Sequence, residues 1–288
     1  MLNHIVYKTD LIMDLFQFKT DQIQSFKNLI ESLKEIMVET NLELSRTAIK
    51  ISKMNVLNSI CCIVNLTSDE LNRNENCEYF CEYPDEKPLT LGINLIHFSK
   101  ILRNISPDNI LYLHVNESDK NVLKIVAEMT NRAVVTTYTM NFTEVNVEKL
   151  NYPDNQFDKI INIESKYFQK QIKDINNLNL KYLEIIANTS KQMIITGYGG
   201  FITKETIIDS KCLRDDDKYT ISVENEQNNR IFQGKYEVKD LMCLSKFTNL
   251  SKIFTLKLKN DVPLFVTIEV ENLGNVTLVI HAKGLTNE

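Results

Sequence analysis

The chain has 288 residues, enough for one large or two ordinary domains, each with a buried core. An apolar fraction of 43% and a charged fraction of 25% are those of a soluble globular protein, and no apolar run approaches the ~18 residues of a membrane-spanning helix. The net charge of −5 argues against a protein that is basic throughout, as nucleic-acid binders usually are, but it does not say where the charges lie.

In chain order, MLNHIVYKTDLIMD has neither the basic start nor the apolar block of a secretory signal, so export is not expected. A first amphipathic helix is predicted over 21–38, with Ile23, Phe26, Leu29, Ile30, Leu33 and Met37 on one side. LELSRTAIKIS then has strand character. Cys61, Cys62, Cys77, Cys81, Cys212 and Cys243 are expected to be thiols, and the Cys77–Cys81 pair lacks the second Cys/His pair that a zinc site needs. A second helix is predicted over about 94–104, followed by strands in ILYLHV, VLKIVAEM and VVTTYTMNF. Residues 140–157 are polar with one proline and suit a linker. After DKIINI, the stretch SKYFQKQIKDI is a third helix with Phe168, Ile172 and Ile175 on its apolar face. Gly197, Gly199 and Gly200 mark a hairpin turn; no Gly-Lys-Ser/Thr follows, which excludes a phosphate loop. VKDLMCLSKF is a fourth helix, and FTLKLK, PLFVTIEV and VTLVIHA close the chain as strands.

The helices recur at a fixed interval. Lys27 and Lys170 are 143 residues apart, and Lys100 and Lys239 are 139 apart, so the chain looks like two copies of a unit of about 140 residues. Each helix also carries a cationic side. At 100° per residue, Lys27 and Lys34 share a side flanking the first helix's apolar stripe, Lys100 with Arg103 and Lys170 with Lys173 lie opposite their apolar residues, and Lys239 aligns with Lys246. One such face is an ordinary solvated surface. Four in repeat-related positions of an acidic protein point to a polyanion held through its phosphates, without base readout.

Three stretches resemble the DNA sliding clamps of the proliferating cell nuclear antigen family. They are LGINLIHFSKILRNISPDNILYLHV (91–115), TTYTMNFTEVNVEKLNYPDNQF (136–157) and NDVPLFVTIEVENLGNVTLVIHAKG (260–284). The resemblance implies an α+β clamp fold of two similar domains, with antiparallel sheets outside and two helices per domain facing the interior of a three-subunit ring. It divides the chain into an N-terminal extension (1–13), a first clamp domain (14–139), an interdomain connector (140–157) and a second clamp domain (158–288).

By position, the family's DNA-facing cations fall on Lys27, Lys34, Lys100, Arg103, Lys170, Lys173, Lys239 and Lys246. Its pocket for the hydrophobic motif of partner proteins falls on Met54, Leu150, Tyr152, Pro153, Phe157, Pro263, Val279 and His281. Asn58 stands where the family often has a histidine. Subunit contact is expected between 133–140 of one chain and 201–208 of the next, with Tyr138, Ile202 and Lys204 taking part. The implied partners are double-stranded DNA, a DNA polymerase and other motif-bearing proteins, a clamp loader and further copies of the chain, with no membrane. No cofactor, metal or catalytic centre is expected. The implied location is the nucleus, or a cytoplasmic replication site if the protein is viral. The alternative expectation keeps the fold but makes this chain a monomeric processivity factor or one subunit of a hetero-oligomeric checkpoint clamp.

Overall fold

The structure, a computed structural model, describes residues 14–129, 133–144, 157–188, 192–209, 223–224 and 231–283. In chain order the elements are β1 (Asp14–Thr20), α1 (Ile23–Leu33), β2 (Glu39–Leu44), β3 (Ala48–Met54), β4 (Ile60–Thr67), α2 (Ser68–Leu71), β5 (Glu78–Cys81), β6 (Leu89–Asn94), α3 (Leu95–Arg103), β7 (Asn109–Asn116), β8 (Asp119–Met129) and β9 (Val135–Asn141). There follow β10 (Lys159–Glu164), α4 (Ser165–Asn177), β11 (Tyr182–Ala187), β12 (Gln192–Tyr198), β13 (Thr203–Asp209), β14 (Val223–Glu224), β15 (Phe232–Glu237), α5 (Val238–Leu241) with a 3-10 turn (Met242–Lys246), β16 (Ile253–Leu258), β17 (Leu264–Val270) and β18 (Gly274–Ile280). None of the described helices is long and apolar enough to cross a membrane.

The chain forms two compact units. The first is drawn from 1–52, 64–148 and 271–274, the second from 53–63, 149–270 and 275–288.

In unit 1, β5-β1-β7-β8-β9 form a five-stranded antiparallel sheet, in which alternation of apolar and polar residues buries one face. The interior is built on aromatic contacts. Phe26 of α1 meets Phe18 of β1 at 5.7 Å and Phe98 of α3 at 5.9 Å, both edge to face. Leu95, Phe98 and Leu102 repeat at helical spacing and are all buried, which fixes the opposite side of α3 toward solvent. Asn94 caps this helix: its side-chain oxygen accepts from the His97 amide at 3.1 Å. The first helix is shorter than its periodicity predicts. It ends at Leu33, and a tighter turn through Ile36 brings the buried Ile36 and Met37 back onto the apolar side.

In unit 2, β13-β12-β11-β15 form a four-stranded antiparallel sheet, and β10 pairs with β16. Phe168, Ile172 and Ile175 of α4 are buried, as their spacing requires. The glycine-rich turn is there, but the glycines divide the work. Gly199 closes the β12–β13 hairpin through its amide to the Ile202 carbonyl at 3.1 Å. Gly197 lies inside β12, where a Cβ would sit 2.8 Å from Leu180 and 2.9 Å from Ile175, so it permits the strand to approach α4 closely.

Two expectations change. LELSRTAIKIS is not one strand but a β2–β3 hairpin turning at Ser45–Thr47, with Glu43 opposite Lys50. The fourth helix is one α-turn followed by a 3-10 turn. At about 120° per residue in the 3-10 part, Lys239 and Lys246 diverge by about 60° instead of the 20° of a continuous α-helix.

Candidate nucleic-acid interface

The eight cations separate into engaged and free groups. On unit 1, Glu31 of α1 lies among them. Arg103 donates to both of its carboxylate oxygens, Nε at 2.7 Å and Nη2 at 2.9 Å. Ser99 Oγ donates to Glu31 Oε1 at 2.6 Å, and Lys34 forms an ion pair with Glu31 while its Nζ lies 3.3 Å from Ser99 Oγ. Partial burial tends to raise the Glu31 carboxyl, but the hydrogen bonds from Arg103, Lys34 and Ser99 outweigh it and hold its pKa down at about 2. Lys27 donates to the Ile105 carbonyl just beyond α3, and burial pushes its ammonium pKa down. Lys100 is exposed, and among the described residues its ammonium group makes no hydrogen bond or ion pair.

On unit 2, Lys166, Lys170 and Lys173 project from α4 into solvent, likewise with no partner among the described residues. Lys239 pairs with Glu237 at 2.6 Å, and Lys283 reaches the same carboxylate at 3.0 Å. Those bonds, Lys239's first, hold the Glu237 carboxyl below its ordinary value. Lys246, exposed at the end of the 3-10 turn, is also engaged.

A second feature of unit 2 is apolar. Met54, Ile63, Phe157 and Val262 are half-buried around a buried floor of Cys61, Phe265 and Val279. Phe157 packs edge to face on Phe265 at 5.1 Å. Val279 is thus covered, Pro263 is half-buried, and His281 is exposed, its amide donating to the Ser59 carbonyl at 3.0 Å. Leu150, Tyr152 and Pro153 lie outside the described residues.

Sequence reasoning missed the loop beside this cluster. Asn55 Oδ1 accepts from the Ser59 and Ile60 amides at 2.9 and 3.1 Å, Asn58 adopts a positive φ of 52°, and Ser59 Oγ donates to Asp240 at 2.9 Å. An asparagine tolerates that left-handed conformation better than most residues, a local reason for Asn58 to stand there. The pinned loop holds Val56 and Leu57 in solvent, 93% and 66% exposed. Two asparagines bracketing an apolar pair were the available signal.

The sheet edges differ in kind. β9 is the outer strand of the unit 1 sheet, with Tyr138 opposite Ile125 and half-exposed. β13 is the outer strand of its sheet in unit 2 and presents Ile207, with Ile202 exposed just before it and Phe201 fully exposed at the turn. Lys204 is turned inward: its Nζ lies 2.9 Å from Gln171 Oε1 and 3.4 Å from Asp174 Oδ2. Cys77 hydrogen-bonds Asp21, and no group of three potential metal ligands gathers among the described residues.

Residues 15–150 match the model of the proliferating cell nuclear antigen N-terminal domain, and residues 151–283 match its C-terminal domain. The chain belongs to the proliferating cell nuclear antigen family. A relative, the probable DNA polymerase sliding clamp 1 of Paramecium bursaria Chlorella virus 1, is 26% identical over 270 residues, covering 92% of this chain and 96% of its own. The crystal structure of the proliferating cell nuclear antigen from Entamoeba histolytica shares the fold, with a TM-score of 0.79 at 23% identity, over 94% of this chain and all of that one. The two-domain α+β clamp fold follows. The family is one of non-enzymatic scaffolds that work with DNA, polymerases and copies of themselves.

Proposed function

We propose that this chain, a sliding clamp and DNA polymerase processivity factor of that family, closes as a ring of three identical subunits around duplex DNA. The observation that supports the reading is a set of ammonium groups with no partner among the described residues, Lys100 on α3 with Lys170 and Lys173 on α4, on helices whose other sides are buried. Mobile point charges of this kind hold phosphates without reading bases, so the ring slides. Ring closure joins the β9 edge of one subunit to the β13 edge of the next, a head-to-tail contact that removes both open edges.

Partner proteins dock a hydrophobic motif on the apolar cluster of Met54, Ile63, Phe157 and Val262, which Val56 and Leu57 extend. A separate clamp loader opens the ring. The chain itself carries out no reaction, and it works in the nucleus or at a cytoplasmic viral replication site.

The test is primer extension on circular DNA with the cognate polymerase and loader. Longer products in the presence of this protein, with the gain fading as salt rises, are expected. Unchanged product length at low salt overturns the reading.

A further inference from the structure

The internal repeat hides an asymmetry. The spacing that relates Lys27 to Lys170 also relates Glu31 to Asp174, so each unit carries an acid one helical turn after a cation of the DNA-facing row. The two acids are used differently. Asp174 is directed to the sheet, where it takes Lys204 of β13. Glu31 is directed along the cation row, where it takes both forks of Arg103, the Lys34 ammonium and the Ser99 hydroxyl. Unit 1 therefore carries a counter-charge on its α1 and α3 cations, whereas Lys170 and Lys173 on α4 of unit 2 have none among the described residues.

A carboxylate bonded twice to a guanidinium competes with phosphate for the same donors. It also reduces the number of counterions that DNA releases when the protein binds, which is the source of the affinity. We infer that Glu31 sets the DNA affinity of the clamp by holding Arg103 and Lys34 away from phosphate, leaving a light grip in unit 1. The inference rests on the reading that these helices face DNA.

Binding of a short fluorescein-labelled duplex, followed by anisotropy across a salt series, tests both. Glu31→Gln keeps the shape and an acceptor for Ser99 while removing the charge. It is expected to tighten binding by about threefold or more at low salt, and to steepen the salt dependence by about 0.9 for each additional phosphate that the freed cations neutralise. Glu117→Gln makes the same change of charge in the exposed β7–β8 turn and should leave binding unchanged. The double variant Lys170→Ala/Lys173→Ala should weaken it. If the double variant weakens binding while Glu31→Gln leaves it unchanged or weaker, Glu31 orients Arg103 for DNA and the inference falls alone. Equal tightening by Glu117→Gln reduces the effect to bulk charge and also overturns it. Unchanged binding by the double variant removes the DNA-facing reading, and the inference with it. Thermal unfolding of each variant guards against loss of fold, and Glu31→Ala repeats the test if Glu31→Gln proves unstable.

Discussion

Ile202→Ser/Ile207→Ser separates assembly from folding. The two side chains are 49% and 58% exposed, so together they offer solvent about as much apolar surface as one free isoleucine. Covering that surface in a subunit contact stabilises it by about 2 kcal/mol, and a closed trimer has three such contacts, about 6 kcal/mol in all. At about 1.4 kcal/mol per tenfold, the trimer dissociation constant rises roughly ten-thousand-fold. Because the midpoint concentration of a monomer–trimer equilibrium follows the square root of that constant, the midpoint moves up about a hundredfold. Light scattering across a dilution series on a sizing column reads this directly. The isolated subunit should unfold at an unchanged temperature, since neither side chain is in the core. A variant that stays trimeric to the same dilution as the wild type refutes the β13 contact, and a wild type that is monomeric at micromolar concentration removes the homotrimer altogether.

Three further outcomes are expected. Val56→Ser/Leu57→Ser should weaken binding of a hydrophobic-motif peptide about tenfold without lowering stability, because both residues sit in solvent on a pinned loop; unchanged affinity in calorimetry would detach the loop from the partner surface. Gly274→Ala should cost about 3 kcal/mol in urea unfolding. Its φ is +140° and a Cβ would lie 2.3 Å from the Asn65 carbonyl oxygen, so a wild-type midpoint would contradict the geometry. The Glu31 carboxyl is held at about 2 against an ordinary value of 4.5, so the stability it contributes is present above about pH 4.5 and is lost as pH falls toward 2. In Glu31→Gln, urea midpoints measured between those limits should depend less steeply on pH, and an unaltered slope would mean the ion-pair cluster does not hold in solution.

Much of the architecture was legible because it depends on local period. The apolar stripes of α3 and α4 predict their helices within two residues at either end, and the turn at Gly199 follows from glycine spacing. The fourth helix was legible in place but not in kind. Leu241, Leu244 and Phe247 are buried at every third residue, which suits a 3-10 turn but which an α-helix also allows, so the change of helix type was not legible. The strand β1 has alternating Phe16, Phe18 and Thr20 in its interior, a signal masked by the extension it adjoins. The Glu31–Arg103 pair could not be read at all, because its members are 72 residues apart and meet only where α1 packs on α3.

That long-range pairing changes what eight cations mean for DNA. Eight per subunit, all bound to phosphate in a closed trimer, would give a salt slope of about −22, at about 0.9 per phosphate neutralised. A ring that steep would be nearly immobile at low salt and would fall away sharply as salt rises. Lys27, Lys34, Arg103 and Lys239 are engaged inside the subunit, however, and Lys100, Lys170 and Lys173 are the candidates left without a partner among the described residues. In the proposed trimer, three such cations per subunit would limit the slope to about −8. Release of a topologically closed ring would not report this quantity, so it must be read from equilibrium binding to short linear duplexes. A slope steeper than about −8 would mean that the internal pairs open when DNA arrives, and the division into engaged and free cations would then describe only the DNA-free protein.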